Sequence, residues 1–334
     1  MERRAVPGLA WPLAALVVAS VLWGGAVTGT KYALGGFDPV TLLSVELAAA
    51  TVALWAALLV RGYRPPGSWW LPAVLGLLEP ALAYLGDTLG LSRTSAVHGA
   101  MINGLESALV VVLAALLLRE AVSRATVLAV LAALCGLAVL AGAGDGRAAA
   151  GGDLLVAGGV LCASLYTVVA KRFADGSDAL SLTTWQFTVA TAIAVPVAMT
   201  RWAGRSEAAP VAVAPRFWLA AGLVGVAGFG VSFLLFNLVI VRVDAGWAAV
   251  VLNLIPLFAL ASAVIFLREG LTPGDAIGAA LIGASVLYFL RADSCATVPV
   301  MSTVSAGPPD TVTGPPGRAD GRVAREGSGS LQPW

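Results

Sequence analysis

The chain repeats itself. Residues 69–140 align with residues 218–289 without a gap. Trp69 meets Trp218, Gly76 meets Gly225, Arg93 meets Arg242, and Leu118-Arg119-Glu120 meets Leu267-Arg268-Glu269. About a dozen of roughly seventy positions are identical, and most of the others exchange one apolar residue for another. The match continues more weakly toward the start of each copy. There Lys31 falls on Lys171 and Ala50-Thr51 on Ala190-Thr191. The offset then grows by nine, which places extra residues around 205–214 of the second copy.

Both copies are too apolar for water. The chain is 59% hydrophobic and 12% charged, with mean hydropathy +0.89. A soluble domain carries about 25% charged residues. A membrane span needs about 20 apolar residues, and in lipid only helices and closed barrels satisfy their own backbone. Ten windows qualify: roughly 11–34, 39–60, 69–91, 95–118, 125–143, 153–173, 180–200, 216–240, 245–267 and 274–291. Pro, Gly and charge gather in the short connections, as in Arg61-Gly62-Tyr63-Arg64-Pro65-Pro66. Five spans per copy is an odd number, so the copies insert with opposite orientation. The expected fold is an all-α membrane protein with ten transmembrane helices, arranged as two inverted five-helix repeats. Its parts are an N-terminal stretch (1–10), a first repeat (11–143), a second repeat (153–291) and a tail (292–334). The tail is rich in Gly, Pro, Ser and Thr and reads as disordered.

The N-terminal Met1-Glu2-Arg3-Arg4 followed by an apolar run resembles a signal peptide, but the run continues to about Leu34 without a small-x-small cleavage site. It reads as the first span. Lys and Arg placement favours both termini in the cytoplasm, and the cell membrane is the expected location. The opposing charges are Arg201, Arg205 and Arg216. A net charge of +1 leaves no footprint for nucleic acid. The cysteines Cys135, Cys162 and Cys295 and the single histidine form no disulfide framework or multi-histidine metal site. No phosphate-binding Gly-x-x-x-x-Gly-Lys-Ser/Thr occurs. No cofactor is expected. Membrane lipid and a small-molecule substrate are the expected partners.

The first copy sets acids inside its spans: Glu46, Glu79, Asp87 and Glu106. The second copy has Gln186, Gly228, Phe236 and Ile255 at the same places. An acid at the centre of a lipid-facing helix costs about 2.5–3.5 kcal/mol. These acids must therefore face a wet cavity, pair with a base or stay protonated. Glu106 ranks first as a cavity or proton-coupling residue, with Asn103 one turn earlier on the same face and His98 two turns before. The alternative is a hydrogen bond that only fixes packing. Glu79 precedes Pro80, which lacks an N–H and predicts a kink with a free Gly76 carbonyl. Asp87 lies nearer its span's end and reads as solvated. Pro256 predicts a second kink beside Asn253. Asn253 and Asn237 could hydrogen-bond a polar solute or join helices. Trp23 and Trp185 could wall a cavity, whereas Trp69, Trp70 and Trp218 read as interface anchors. Lys31 reads as snorkelling to headgroups or as counter-ion to an acid. Glu120 and Glu269 read as fixing loop geometry. Small residues in the fifth and tenth spans suggest helix packing or a homodimer surface.

Several of these residues resemble the EamA family of the drug/metabolite transporter superfamily. They are Trp23-Gly24 in the first span, the endings Leu116-Leu117-Leu118-Arg119-Glu120 and Ile265-Phe266-Leu267-Arg268-Glu269, Pro256 in the ninth span, and Gln186 in the seventh. The resemblance covers about 11–291. The chain departs from it with Arg119 and Arg268 where Gly is usual, Glu46 near an expected Arg, and Ser107 at an expected Pro. The resemblance implies ten helices, cytoplasmic termini and a central cavity between the halves. The expectation is a non-enzymatic secondary transporter that exports a small polar or amphipathic metabolite, an amino-acid-like solute or a drug, by alternating access, either coupled to protons or as a facilitator. The alternatives are a membrane sensor or assembly protein without transport and, more remotely, an intramembrane enzyme.

Overall fold

The computed structural model describes residues 10–118, Cys135, 147–240 and 251–284, except positions 64, 66–67, 174–175, 205–209, 253, 271, 275, 278–279 and 282–283. Asn253, Glu120, nearly all of the fifth expected span, part of the tenth and the tail lie outside the described residues. So does the expected dimer surface, apart from a few positions.

All regular structure among the described residues is helical. Seven helices are long and apolar enough to cross a membrane. We label these α1 (Trp11–Ala33), α2 (Pro39–Arg61), α3 (Trp70–Leu91), α4 (Ala96–Leu117), α5 (Ala150–Phe173), α6 (Ala179–Ala203) and α7 (Pro215–Ile240). A shorter apolar helix, α8 (Leu254–Leu267), follows. In repeat order, α5 to α8 are the counterparts of α1 to α4. The outer faces carry large apolar side chains, with Val60 90%, Leu154 75% and Phe266 76% exposed. Contiguous apolar surface of this kind suits lipid rather than water.

The two repeats meet along α2 and α6. Asp38 caps α2, its carboxylate accepting from the Val40 and Thr41 N–H groups at 3.2 and 3.3 Å. Asp178, the same position in the second copy, accepts from Ser181 N–H at 2.9 Å and caps α6. Each cap also pairs with the far end of the other helix. Arg201 donates to Asp38 at 2.8 Å and Arg61 to Asp178 at 2.9 Å. Midway, the Thr51 and Thr191 hydroxyls meet at 2.7 Å. The N-terminal end of each helix thus touches the C-terminal end of its counterpart, so α2 and α6 run antiparallel. Both ion pairs are partly exposed, and exposed pairs contribute about 0–1 kcal/mol. They fix register more than they stabilise.

Glycines allow the next layer to close. A Cβ on Gly76 of α3 would lie 2.5 Å from the Gln186 carbonyl oxygen, and one on Gly225 of α7 would lie 2.3 Å from the Glu46 carbonyl oxygen. Equivalent helices therefore cross equivalent partners backbone to backbone. Gly24 does the same for α1, where a Cβ would fall 2.7 Å from Phe258 Cβ and 2.9 Å from the Ile255 carbonyl oxygen of α8.

Two of the helices are interrupted inside the membrane-length stretch. In α3, Glu79 is extended (φ −147°, ψ 124°) within a wide turn at Leu77–Leu82. A residue before proline is driven out of the helical region by the pyrrolidine ring, so the break falls on Glu79. The second repeat has a wide turn at the matching place, Val224–Val231, without a proline. The second interruption splits α4. Its first part ends at Asn103, Gly104 and Leu105 turn, and a new helix begins at Glu106. The Gly104 and Leu105 N–H groups bond three residues back, to Met101 and Ile102. This differs from the sequence expectation of one continuous span with Glu106 at mid-helix. Glu106 instead occupies the first turn of a half-helix.

Candidate functional site

The two interruptions face each other across a cavity of about 90 Å³. One water occupies roughly 10–15 Å³ on this measure, so the space holds about half a dozen waters or part of a small organic solute. Glu79 arrives from the break in α3, Tyr84 and Asp87 from the helix beyond it, and Asn103 and Glu106 from the break in α4. Trp23, Ala26, Val27 and Thr30 enter from α1 at helical spacing. Irregular backbone inside a membrane is tolerated where it lines a cavity.

The lining follows the repeat. Asp87 and Phe236, Asn103 and Leu252, and Glu106 and Ile255 are equivalent positions, and all six border the cavity. So do the equivalent pairs Trp23 and Ala163, and Val27 and Thr167. The cavity is therefore built from equivalent positions of both repeats, which differ in chemistry. The first repeat supplies a carboxyl or amide where the second supplies Phe, Leu or Ile. Tyr166, equivalent to Ala26, fills the second repeat's interior and is fully buried.

Internal bonds hold the wall. Trp23 Nε1–H donates to the Tyr84 hydroxyl at 3.1 Å. Trp23 also packs edge-on against Phe233 and Phe236, with centroids 5.9 and 5.7 Å away. Asn103 Nδ2–H donates to Asp87 Oδ1 at 3.4 Å. No Lys, Arg or His lines the cavity among the described residues.

Glu46 lies just behind this wall, fully buried. Its Oε1 accepts from the Thr30 hydroxyl at 3.0 Å, and its Oε2 has no partner. Gln186, its counterpart, does not line the cavity. Gln186 shares a closed network with Asn237, Tyr166 and Thr183. Tyr166 Oη–H donates to Asn237 Oδ1 at 2.8 Å, and Asn237 Nδ2–H donates to Thr183 Oγ1 at 2.9 Å and Gln186 Oε1 at 3.2 Å. Gln186 and Asn237 thus act as internal glue.

Two further residues also fall elsewhere. Trp185 stands among Trp55 and Trp69, with centroids 5.3 and 4.7 Å away, and does not border the cavity. His98 is buried at the end of the bundle where α4 begins. Its Nδ1 lies 3.2 Å from Asp153 Oδ2, while Thr94 Oγ1–H donates to Asp153 Oδ1 at 2.6 Å. At that same end Lys31 Nζ donates to the Leu91 carbonyl at 2.6 Å and to the Thr94 carbonyl. Lys31 is therefore a clamp on the α3–α4 turn and not a headgroup anchor. Glu269, at the end of α8, accepts from the Ala96 and Val97 N–H groups at 3.0 and 2.9 Å. The first repeat's fourth helix is thus capped by a carboxylate of the second repeat, which satisfies two otherwise orphaned donors.

Sequence reasoning ranked Asp87 as a solvated end residue, yet it faces the cavity with Glu79 and Glu106. It passed over Tyr84, Thr30, Phe229, Phe236 and Asp153. A signal for some of them was present. Tyr84 and Asp87 are three apart on one helix face, and Trp23, Ala26, Val27 and Thr30 follow the i, i+3, i+4, i+7 pattern of a single stripe.

Residues 10–142 and 150–291 each match the EamA-like transporter family. The chain belongs to that family, and each of its two halves carries one copy of the family's unit. Among its relatives is the uncharacterized transporter YyaM of Bacillus subtilis, 26% identical over 182 residues, which cover 51% of this chain and 59% of that protein. An uncharacterized transporter of Archaeoglobus fulgidus is 27% identical over 176 residues, covering 52% and 61%. The chain thus spans about three fifths of the length of these curated relatives. A solved crystal structure of a protein shares the fold with a TM-score of 0.62 at 20% identity, covering 86% of this chain and 99% of the other.

Proposed function

We propose that this protein is a secondary active transporter that moves a small polar or amphipathic metabolite across the cell membrane by alternating access. The observation that carries this reading is the cavity at the join of the two repeats. It is lined by Glu79, Asp87 and Glu106 with no basic residue among the described lining. Acids placed so deep are expensive unless solvated, protonated or paired with a transported cation. A carboxyl that exchanges its proton for solute couples flux to the proton gradient. The antiparallel α2 and α6 support an inverted repeat, which gives the rocking motion two equivalent end states. Export, with both termini cytoplasmic, is the direction we assign. Cargo passes unmodified, so the site needs binding and release rather than catalysis.

Purified protein in proteoliposomes tests the reading. An imposed pH gradient should drive flux of an amphipathic metabolite, and Glu106→Gln should abolish it. Folded protein that moves no solute from a broad metabolite panel would overturn it.

A further inference from the structure

The cavity lining divides by repeat: the first supplies Glu79, Asp87 and Glu106, and the second supplies Phe229, Phe236 and Ile255. We propose that the cargo is an amphipathic organic cation, a protonated or quaternary amine with an apolar or aromatic body, bound in exchange for a proton on the cavity carboxyls. The inference rests on the transporter reading and narrows it.

Charge balance is the first argument. Three carboxyls border a space that no Lys, Arg or His enters among the described residues. Lys31 donates to the Leu91 and Thr94 carbonyls, and the acid it interacts with is Glu269 and not one of the cavity three. Of the three acids only Asp87 receives a hydrogen bond from a lining side chain, that of Asn103. With no basic group in the described lining, protons or a bound cation balance the negative charge. When one ammonium group enters, one carboxyl proton leaves to water, and the charge within the cavity is unchanged.

The second argument concerns donors. An amino acid brings a carboxylate as well as an ammonium, and a buried carboxylate needs hydrogen-bond donors. Trp23 gives its N–H to Tyr84, Thr30 its hydroxyl to Glu46, and Asn103 its amide to Asp87. Those donors are engaged by oxygens of the protein, which leaves the Tyr84 and Thr167 hydroxyls and the second Asn103 N–H as neutral donors and no charged donor among the described lining. A solute carboxylate would therefore meet three acids with no base to offset them.

The third argument is shape. Trp23, Tyr84, Phe229 and Phe236 offer rings to the same space as the acids. Ring faces attract ammonium groups within about 6 Å of the centroid and also accept an aromatic body. The break at Glu79 and the helix start at Glu106 bring two acids to the same space as Phe236 and Ile255, so a solute with both a cationic and an apolar part meets both kinds of lining.

Three probes with the same body and different charge decide the matter: phenethylamine, phenylalanine and 3-phenylpropionate. Each is titrated into purified full-length protein in weakly buffered detergent with a pH indicator, beside calorimetry. Phenethylamine should bind at least tenfold more tightly than phenylalanine and release protons on binding, and 3-phenylpropionate should not bind. Glu79→Gln and Glu106→Gln should each reduce proton release while the melting temperature confirms folding. Phenylalanine binding as tightly as the amine, or amine binding without proton release, overturns the cation assignment in the wild-type protein whatever the variants do. Proteoliposome flux separates the two claims. Flux of phenylalanine without flux of the amine sinks the cation inference and leaves the transporter intact; no flux of any solute sinks both.

Discussion

Thr51 and Thr191 occupy the same position in the two repeats and touch hydroxyl to hydroxyl at 2.7 Å. A contact between equivalent residues marks the place where the local two-fold relation passes through the chain. The ion pairs Asp38–Arg201 and Arg61–Asp178 lie to either side of it. The pairing of α2 with α6 is therefore set at three points along its length.

That geometry is directly testable. Thr51→Cys with Thr191→Cys should form an intramolecular disulfide on mild oxidation, because the two hydroxyl positions are already adjacent. Peptide mapping after oxidation reads it. Thr51→Cys with Asp178→Cys, placed at the middle of one helix and the end of the other, should not cross-link.

The backbone crossings should resist any added side chain. Gly225→Ala and Gly76→Ala each place a carbon closer than 3 Å to a carbonyl oxygen of the opposite repeat. Overpacking costs about 1–3 kcal/mol. Both variants should melt at lower temperature in detergent. Gly222→Ala, which meets nothing within 4 Å, should not.

Asp87 should matter as much as Glu79. Depth along the span favours Glu79 over Asp87, but both line the cavity. Uptake into proteoliposomes should fall at least tenfold in Glu79→Gln, Glu106→Gln and Asp87→Asn alike. Trp185→Phe, outside the cavity, should retain most of the activity. Undiminished flux in all three acid variants would remove the carboxyls from the mechanism.

The Gln186–Asn237–Tyr166 network should behave as structure. Asn237→Ala removes the acceptor of the Tyr166 O–H and the donor to Gln186 Oε1, while Gln186 Nε2–H still reaches the Tyr166 hydroxyl; an unsatisfied buried polar group costs about 1–3 kcal/mol. The melting temperature should drop, while the order of preference among solutes stays unchanged. A switch in preference would place Asn237 in the cargo site instead.

Much of this architecture was readable from the chain. The Trp69–Leu140 and Trp218–Phe289 match gave the repeat, and Pro80 located the break in α3. The break in α4 was hidden, because Gly104 alone is a weak interruption signal and no proline follows it. The cavity's acidic wall was legible from Glu79 and Glu106, since an acid in lipid demands a reason. Its apolar wall was not, because Phe236 and Ile255 look like any other lipid-soluble residue until the fold turns them inward. Asp87 was misjudged for a related reason: distance along a helix says little about which way a helix faces. His98, Trp185, Gln186 and Asn237 are polar or amphipathic residues whose partners are distant in sequence, and only the fold reveals that those partners are protein.

Glu269 reaches across the repeat boundary to hold the first two N–H groups of α4. Pulling α8 away from α4 at that end strips both donors at once, and water must arrive to take the carboxylate's place. Parting and hydration at this end of the bundle are therefore coupled through one carboxylate.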